Sequence, residues 1–262
     1  MLLSEVMLHQ TQAARVAPAF ERFVARFPTV RSLASASRSE VIRAWAGLGY
    51  NRRAVALHRA ARRIVDEHGG RIPEDLAGLL GLPGVGPYTA AAVAALANGA
   101  PVAAVDTNVR RVVARAALGV DTAGADQRDV ARAADEWLDP SDPGGWNQAV
   151  MDLGREVCRP MPRCGACPLA RVCAFERVPG VGAPAARRQG RFEGSSRQLR
   201  GLLVGALLRV PSATLASLAR DAGQPTHRTA EAIRGLARDG LVEAGPAALA
   251  GRPRGRVRLS PL

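Results

Sequence analysis

Residues 82–90 read Leu-Pro-Gly-Val-Gly-Pro-Tyr-Thr-Ala, and they predict a sharp turn between two helices. Gly84 and Gly86 allow a tight turn, because glycine adopts backbone conformations that other residues avoid. The amides of Gly84, Val85 and Gly86 can then approach a phosphate group with no Cβ in the way. Carbonyl groups of such a turn can also hold a monovalent cation that bridges to the phosphate. The stretch therefore predicts a helical hairpin that binds phosphate.

This stretch resembles the helix-hairpin-helix motif, which binds DNA through its phosphates without reading the base sequence. The alternative is an ordinary turn between two helices, since Gly-x-Gly alone is a weak signal. The charge of the chain favours DNA, because a formal net charge of +13 and a pI of about 11.3 suit a polyanionic partner. All of the positive side-chain charge at neutral pH is arginine, since the sequence contains no lysine.

Asp106 follows the hairpin by about twenty residues, in the segment Val-Asp-Thr-Asn at 105–108. It stands where the next helix should begin, and a carboxylate there is stabilised by the positive end of the helix dipole. One interpretation is a simple N-cap. The other is the carboxylate that stabilises an oxocarbenium ion while an N-glycosidic bond breaks, a reaction that also needs an acid for the leaving group. The distance from the hairpin favours the second interpretation.

The four cysteines of the chain fall within sixteen residues, in the spacing C-x5-C-x2-C-x5-C. Thiolates select soft metals, so the spacing predicts either a [4Fe–4S] cluster or a four-thiolate zinc site, and we favour the cluster. Either site needs all four sulfurs, those of Cys158, Cys164, Cys167 and Cys173. Clustered cysteines suit a reducing cytoplasm better than a disulfide framework does, and no signal peptide or membrane span is evident.

Three segments follow one another along the chain. Residues 1–175 are predicted to be short helices, because Ala, Leu, Val and Arg recur at helical spacing with no alternating strand pattern. Residues 176–196 are predicted to be a basic linker, since prolines and glycines interrupt them. Residues 197–262 are predicted to be a small winged-helix-like domain of three helices and a two-stranded ribbon. Its helix at 226–238 is a candidate DNA-contacting helix, or else part of a packing or partner-binding module.

Four short strings extend the resemblance. Residues 4–12 read SEVMLHQTQ, 47–50 read GLGY, 146–149 read WNQA and 151–154 read MDLG. Together with the hairpin and the cysteines, they make residues 3–175 resemble the helix-hairpin-helix glycosylase superfamily with a C-terminal iron–sulfur loop. Within that superfamily the strings are most similar to the adenine DNA glycosylases. The resemblance implies a mostly α fold, a helix-hairpin-helix glycosylase barrel with an iron–sulfur lobe at 158–173.

The resemblance also implies catalytic roles. Glu5 matches the acid that protonates adenine N7, although it could instead be a solvated glutamate near the chain start. Asp106 matches the carboxylate that stabilises the sugar cation, and Asn108 matches the residue that hydrogen-bonds near it. Leu8 and Gln10 match the wedge that enters the duplex and fills the space of the flipped base.

Tyr88 lies at the position that decides lyase activity in this superfamily. Related bifunctional enzymes carry a lysine there, which attacks the sugar and forms a Schiff base. A tyrosine cannot do so, and no lysine elsewhere in the chain can substitute. The resemblance therefore implies a monofunctional enzyme that uses water and leaves an intact abasic strand.

Three departures from the adenine glycosylase pattern stand out. The first cysteine spacing is one residue shorter than the usual C-x6-C. The family normally has a further helix before residue 4, so we expect a truncated member or a mis-assigned start. The usual Nudix-like domain, which senses 8-oxoguanine, is replaced by the helical segment 197–262. We therefore expect weaker discrimination of 8-oxoguanine from guanine.

The predicted function is removal of mispaired adenine, opposite guanine or 8-oxoguanine, in base excision repair. The expected partner is double-stranded DNA with mismatched or damaged base pairs. We expect a cytoplasmic, nucleoid-associated monomer that binds no membrane. Two alternatives stay open. One is a thymine or uracil mismatch glycosylase of the same superfamily, against which the Glu5 segment argues because N7 protonation is a purine requirement. The other is a non-catalytic DNA-binding protein, which would need neither Asp106 nor a wedge.

Overall fold

A computed structural model describes residues 1–175 and 190–261, and in these ranges the chain is mostly helical, as the sequence predicts. The α-helices are α1 Leu2–Leu8, α2 Ala13–Arg26, α3 Val30–Ser35, α4 Arg38–Ala44, α5 Arg52–His68, α6 Leu76–Leu80, α7 Pro87–Asn98, α8 Thr107–Ala116, α9 Gln127–Trp137, α10 Pro143–Glu156, α11 Ser196–Arg209, α12 Leu215–Asp221, α13 Thr226–Arg238 and α14 Pro246–Leu249. The strands are β1 Ala213–Thr214, β2 Val242–Ala244 and β3 Arg256–Leu259. Most of the predicted linker lies outside the described residues.

The described residues form two compact units. The first unit comprises residues 1–5 and 73–175, and the second comprises residues 6–72 and 190–261. Each unit thus combines segments that are distant in the sequence. The domain boundaries predicted at 175 and 197 stay a prediction. Within the described ranges, every helix is too short or too polar to cross a lipid bilayer.

The first unit packs helices through small side chains. α8 lies against α9 and α10, and α10 also contacts α7. The fully buried residues of their two core clusters are alanines and valines, including Ala92, Val109, Val113 and Ala134, and the larger Trp146 and Met151 of α10 pack against them. Small residues let helix backbones approach closely, so this unit builds its core with few aromatic side chains. The close packing fixes the start of α8, where Asp106 lies.

A capping box formed by Ser37 and Glu40 opens α4. The Ser37 side chain accepts from the backbone amide of Glu40, and the Glu40 carboxylate accepts from the Ser37 amide. Such reciprocal bonds satisfy two of the backbone amides that a helix start leaves without partners. Nearby, Phe23 meets Phe27 and Trp45 edge to face, with ring centroids 5.0 and 6.0 Å apart. These rings form the aromatic part of the second unit's core.

The C-terminal segment contains a three-stranded antiparallel sheet in the order β1-β3-β2. The predicted two-stranded ribbon is present as β2 and β3, and β1 adds a third strand that the sequence did not predict. Ala213 pairs with Val257 on β3, so residues 213–214 form a strand and the next helix begins at Leu215. Strand pairing with a partner more than forty residues away overrode the local helical pattern.

This C-terminal segment shares one core with α4 and α5. Ile42 and Val55 pack in a buried cluster with leucines of α11, α12 and α13. Arg38 also donates to the Gly240 carbonyl at 3.3 Å and to the Ser260 hydroxyl at 3.1 Å. Removal of residues 197–262 would therefore expose apolar surface on α4 and α5, so this segment is part of the second unit's core.

Candidate active site

The predicted hairpin is present between α6 and α7. Gly84 adopts a φ of 81°, a left-handed conformation that favours glycine. Leu82 and Val85 are 2% and 9% exposed and anchor the turn, and the Val85 amide donates to the Leu82 carbonyl at 3.1 Å. A Cβ built on Gly86 meets no atom within 4 Å, so the space beside this residue is open. The tight turn that the two glycines predict is present, and phosphate binding by this turn stays a prediction.

Asp106 is the N-cap of α8, as predicted. Its Oδ1 accepts from the Asn108 amide at 2.8 Å and from the Val109 amide at 2.7 Å. Its Oδ2 accepts from the Asn108 side-chain amide at 2.9 Å. Asn108 therefore touches both carboxylate oxygens and fixes the plane of the group. These three donors hold the carboxylate in one orientation at the positive end of the α8 dipole.

The loop before Asp106 is held by Asn147, which is fully buried on α10. The Asn147 Oδ1 accepts from the Ala104 amide at 2.7 Å, and its Nδ2 donates to the Val102 and Pro143 carbonyls at 3.0 and 2.8 Å. The Asp106 amide in turn donates to the Ala104 carbonyl at 3.1 Å. Asn147 thus pairs with backbone groups of the loop that precedes Asp106 and holds this loop against α10. Its role gives a physical reason for the WNQA string.

Glu5 and Tyr88 form the second part of the site. The Tyr88 hydroxyl donates to the Glu5 Oε2 at 3.1 Å, and Glu5 is only 8% exposed. Burial raises the pKa of Glu5; the Tyr88 hydrogen bond lowers it, and the negative charge of Asp106 adds a smaller increase. Burial and the Glu5 carboxylate also raise the pKa of Tyr88, so this phenol stays neutral at physiological pH. The first unit therefore brings together Glu5, Tyr88 and Asp106.

Arg111 connects the carboxylate to the cysteine segment. Its guanidinium donates to the Asn108 Oδ1 at 2.9 Å, the Gly154 carbonyl at 2.6 Å and the Cys158 carbonyl at 2.6 Å. A continuous chain of hydrogen bonds thus runs from Asp106 through Asn108 and Arg111 to Cys158. Gly154 is tightly constrained here, because an added Cβ would lie 2.7 Å from the Asn108 Cβ.

The four predicted metal ligands line one small cavity of about 20 Å³, which they share with Arg115. The Arg115 guanidinium lies 3.8 Å from the Cys158 Sγ. Burial raises the pKa of the Cys158 thiol, and the charge of Arg115 opposes this increase. Among residues 1–175 and 190–261, no three potential ligands lie close enough to hold a single metal ion. The cysteines therefore surround one space without converging on one point.

Arg115 is a structural residue that the sequence did not reveal. It is fully buried on α8 and pairs with the buried Asp121 at 3.1 Å. It also donates to the carbonyls of Arg159 and Pro160 at 2.6 and 3.0 Å and lies 5.0 Å from the Phe175 ring centroid. Arg115 thus fixes both ends of the cysteine segment. An arginine among valines and alanines on a helix gives no local signal of such a role.

A family comparison covers most of this site. Residues 3–140 match the model described as "HhH-GPD superfamily base excision DNA repair protein", a span that contains Glu5, the hairpin, Tyr88 and Asp106. The chain belongs to this HhH-GPD superfamily. The fold prediction of a helix-hairpin-helix glycosylase is thereby confirmed.

Curated relatives of this superfamily member are named adenine DNA glycosylases. That of Mycolicibacterium smegmatis is 41% identical over 246 residues, which are 92% of this chain and 83% of the relative. The human protein is 44% identical over 183 residues, which are 67% of this chain and 33% of the relative. The resemblance to adenine DNA glycosylases that the sequence motifs indicated is confirmed.

Solved structures give the same superfamily. A thermostable thymine-DNA glycosylase matches with a TM-score of 0.63 at 29% identity, over 68% of this chain and 83% of its own. A non-covalent endonuclease III–DNA complex matches with a TM-score of 0.59 at 26% identity, over 67% of this chain and 82% of its own.

The two wedge candidates of this HhH-GPD protein lie in the second unit. Leu8 is the last residue of α1 and is 38% exposed. Gln10 is also exposed and has a φ of 57°. Both side chains are therefore accessible in the unit that holds them.

Proposed function

We propose that this chain is a monofunctional DNA glycosylase that excises adenine mispaired with guanine or 8-oxoguanine, in base excision repair. The observation that carries the proposal is a buried glutamate with a raised pKa, Glu5, in the same unit as a carboxylate, Asp106, that three donors hold. An acid and a fixed carboxylate are the two groups that glycoside cleavage needs. The curated relatives named adenine DNA glycosylase support adenine as the base.

Glu5 is the general acid in this proposal. Burial raises its pKa, so a larger fraction of Glu5 carries a proton near neutral pH than of an exposed glutamate. Proton transfer to adenine N7 neutralises the charge that develops on the departing base. Tyr88, which donates to the Glu5 carboxylate, orients the acid. A raised pKa and a defined orientation are what an acid catalyst requires.

Asp106 stabilises the sugar cation that forms as the C–N bond breaks. Its charge is most useful when positive charge has developed on the sugar, so its effect falls on the transition state. Asn108 keeps the carboxylate plane fixed through contacts with both oxygens. Water then adds to the sugar and leaves an abasic site. In the same proposal the backbone amides of Gly84, Val85 and Gly86 hold a DNA phosphate, and a monovalent cation on the carbonyls of the turn bridges to it.

The thymine or uracil mismatch glycosylase remains the second candidate, because a thymine-DNA glycosylase structure has the same fold. The buried Glu5 argues against it, since N7 exists only in purines. A non-catalytic DNA-binding protein is the third candidate. It would have no use for a buried acid beside a carboxylate held by three donors. These observations favour adenine excision.

We also propose a [4Fe–4S] cluster bound by Cys158, Cys164, Cys167 and Cys173. The four cysteines line one cavity, and the resemblance of their spacing to the iron–sulfur loop of the superfamily favours the cluster over a four-thiolate zinc site. When bound, such a cluster would hold the cysteine segment in one conformation. The neighbouring arginines, including Arg115, would support that segment for contact with DNA phosphate.

Purified protein should be brown and should contain about four iron atoms per chain. The reason is the position of all four cysteines around one space. Iron analysis and visible absorbance check this, and Cys167→Ser should lose most of the iron. A colourless protein that contains one zinc ion per chain and no iron would contradict the cluster.

For the C-terminal segment we propose a winged-helix-like module. Its helices α11, α12 and α13 and its three-stranded sheet support this proposal, and the exposed His227, Arg234 and Arg238 on α13 could contact phosphate. We propose that this module contributes little to the discrimination of 8-oxoguanine from guanine. We propose further that the protein acts as a monomer associated with the nucleoid.

Reaction with borohydride should trap no side-chain adduct with DNA, because Tyr88 replaces the lyase lysine and the sequence has no lysine. A duplex with adenine opposite guanine should yield free adenine and an unbroken abasic strand that breaks only in alkali or heat. Chromatography of the base and denaturing electrophoresis of the strand measure both products. A trapped adduct that maps to any group other than the N-terminal amine would overturn the monofunctional proposal, and absence of free adenine would overturn the function.

A further inference from the structure

Arg53, near the start of α5, holds the end of α1 in the second unit. Its Nη1 donates to the carbonyls of Val6, Met7 and His9 at 2.8, 2.9 and 2.6 Å. The last carbonyls of a helix have no partner within that helix, and a cation there also complements the helix dipole. One guanidinium therefore satisfies the end of α1 and the backbone that follows it.

The same guanidinium holds a second segment. Its Nη2 donates to the Thr11 hydroxyl at 2.9 Å and to the carbonyls of Leu48 and Gly49 at 3.4 and 3.3 Å. The fork of an arginine can bind two groups of acceptors at once, which a single ammonium nitrogen cannot. Arg53 thus ties the segment 6–11 to the turn at 47–50.

Two aromatic rings enclose this guanidinium. Its central carbon lies 5.3 Å from the Trp45 ring centroid and 5.5 Å from that of Tyr50. Burial lowers the pKa of Arg53 to about 10, so the side chain is still charged at neutral pH. The rings and the carbonyls leave the guanidinium little freedom, which makes it a rigid connection.

Backbone strain is concentrated at the two segments that Arg53 joins. Within the described ranges, two residues other than glycine have a positive φ, Gln10 at 57° and Tyr50 at 46°. Each directly follows a residue whose carbonyl accepts from Arg53, namely His9 and Gly49. Left-handed conformations of such residues persist only where the surroundings enforce them, and they are common at functional sites.

We propose that Arg53 is a positioning residue for base flipping. It keeps Leu8 and Gln10 in the conformation in which they enter the duplex, and it does so by tying them to the turn at 47–50. It touches neither the target base nor the reacting sugar. The inference rests on the proposed function, because it assigns a role to the wedge of that glycosylase.

The test is base opening measured separately from base release. In a duplex with 2-aminopurine in place of the target adenine, opposite guanine, wild-type protein should raise the fluorescence as the base leaves the stack. Arg53→Met should lose most of this rise while it still binds the duplex. Its single-turnover release of adenine opposite guanine should fall by roughly 10- to 100-fold, the size expected when a contact outside the chemistry misplaces the reacting groups. With adenine opposite an abasic-site analogue, where no pair must be opened, the loss should be much smaller.

Two further variants complete the test. Arg63→Met removes an exposed arginine that pairs with Glu67 on the same helix, and it should behave as wild type. Arg53→Lys keeps a cation at the end of α1 but cannot hold both segments, so it should fold and show an intermediate defect. If Arg53→Met shows no cooperative thermal unfolding transition and is therefore not folded, the same measurements are made on Arg53→Lys alone.

If the wild type is active and both Arg53 variants open the base as fast as the wild type does, the proposed role of Arg53 is overturned while the proposed function stands. Equal losses on the paired and the abasic-site duplexes would also overturn it, since a general structural defect does not depend on the opposite base. A wild type that releases adenine from neither duplex would overturn the proposed function first.

Discussion

Asp106→Asn should slow adenine release by about 10³-fold or more, because it removes a charge that stabilises the developing sugar cation. Asparagine is also a good N-cap, so the start of α8 should persist and stability should change little. Duplex binding should stay close to that of wild type, since the charge matters mainly in the transition state. Single-turnover rates at saturating enzyme measure the chemical step, and a binding titration measures the affinity for the duplex.

Asp126→Asn is a matched control for this variant. Asp126 is the exposed N-cap of α9, and it accepts from the Arg128 amide at 2.7 Å. The Asp126→Asn variant thus makes the same change at another N-cap of the first unit, one that does not belong to the proposed active site. Its rate should equal that of wild type. Near wild-type release by Asp106→Asn would show that Asp106 is only an N-cap.

Glu5→Gln should slow adenine release by roughly 10³-fold, within the range measured for loss of a general acid. The wild-type rate should fall as the pH rises through the pKa of Glu5, because the protonated form is the active one. Burial raises that pKa, so the fall should come at a higher pH than for an exposed glutamate. The Tyr88 hydrogen bond lowers the pKa of Glu5, so Tyr88→Phe should move the fall to still higher pH.

The exposed Glu21 on α2 supplies the control, Glu21→Gln, which should keep both the wild-type rate and its pH dependence. A single-turnover pH profile of each variant provides the measurement. If Glu5→Gln kept the pH-dependent fall of the wild type at an undiminished rate, Glu5 would not be the acid.

The sequence predicted the features that local backbone chemistry determines. The glycines of the hairpin and the Asp106 N-cap each act over a few residues, so a short stretch of sequence is enough to predict them. The pairing of Glu5 with Tyr88 joins residues 83 positions apart. The resemblance to a known family indicated a role for each of the two residues, but their hydrogen bond is seen only in the structure.

The features that the sequence did not predict depend on partners far along the chain. In the sequence pattern, Arg115 and Arg53 look like ordinary helix residues. In the structure, each donates hydrogen bonds to backbone carbonyls of other segments. β1 forms because Ala213 and Thr214 pair with β3, and no pattern in the neighbouring residues predicts this pairing. The amino-acid composition likewise cannot predict that Ile42 and Val55 share a core with the C-terminal helices.

Single-turnover base release from a matched set of duplexes tests the central claim most directly. Adenine, thymine or uracil would be placed opposite guanine or 8-oxoguanine, with Asp106→Asn as the inactive reference. The proposed function predicts that wild-type protein releases adenine from both contexts, with at most a modest preference for 8-oxoguanine, and that thymine and uracil stay in place. Release of thymine or uracil without release of adenine would contradict the account, and no release of any base would do so as well.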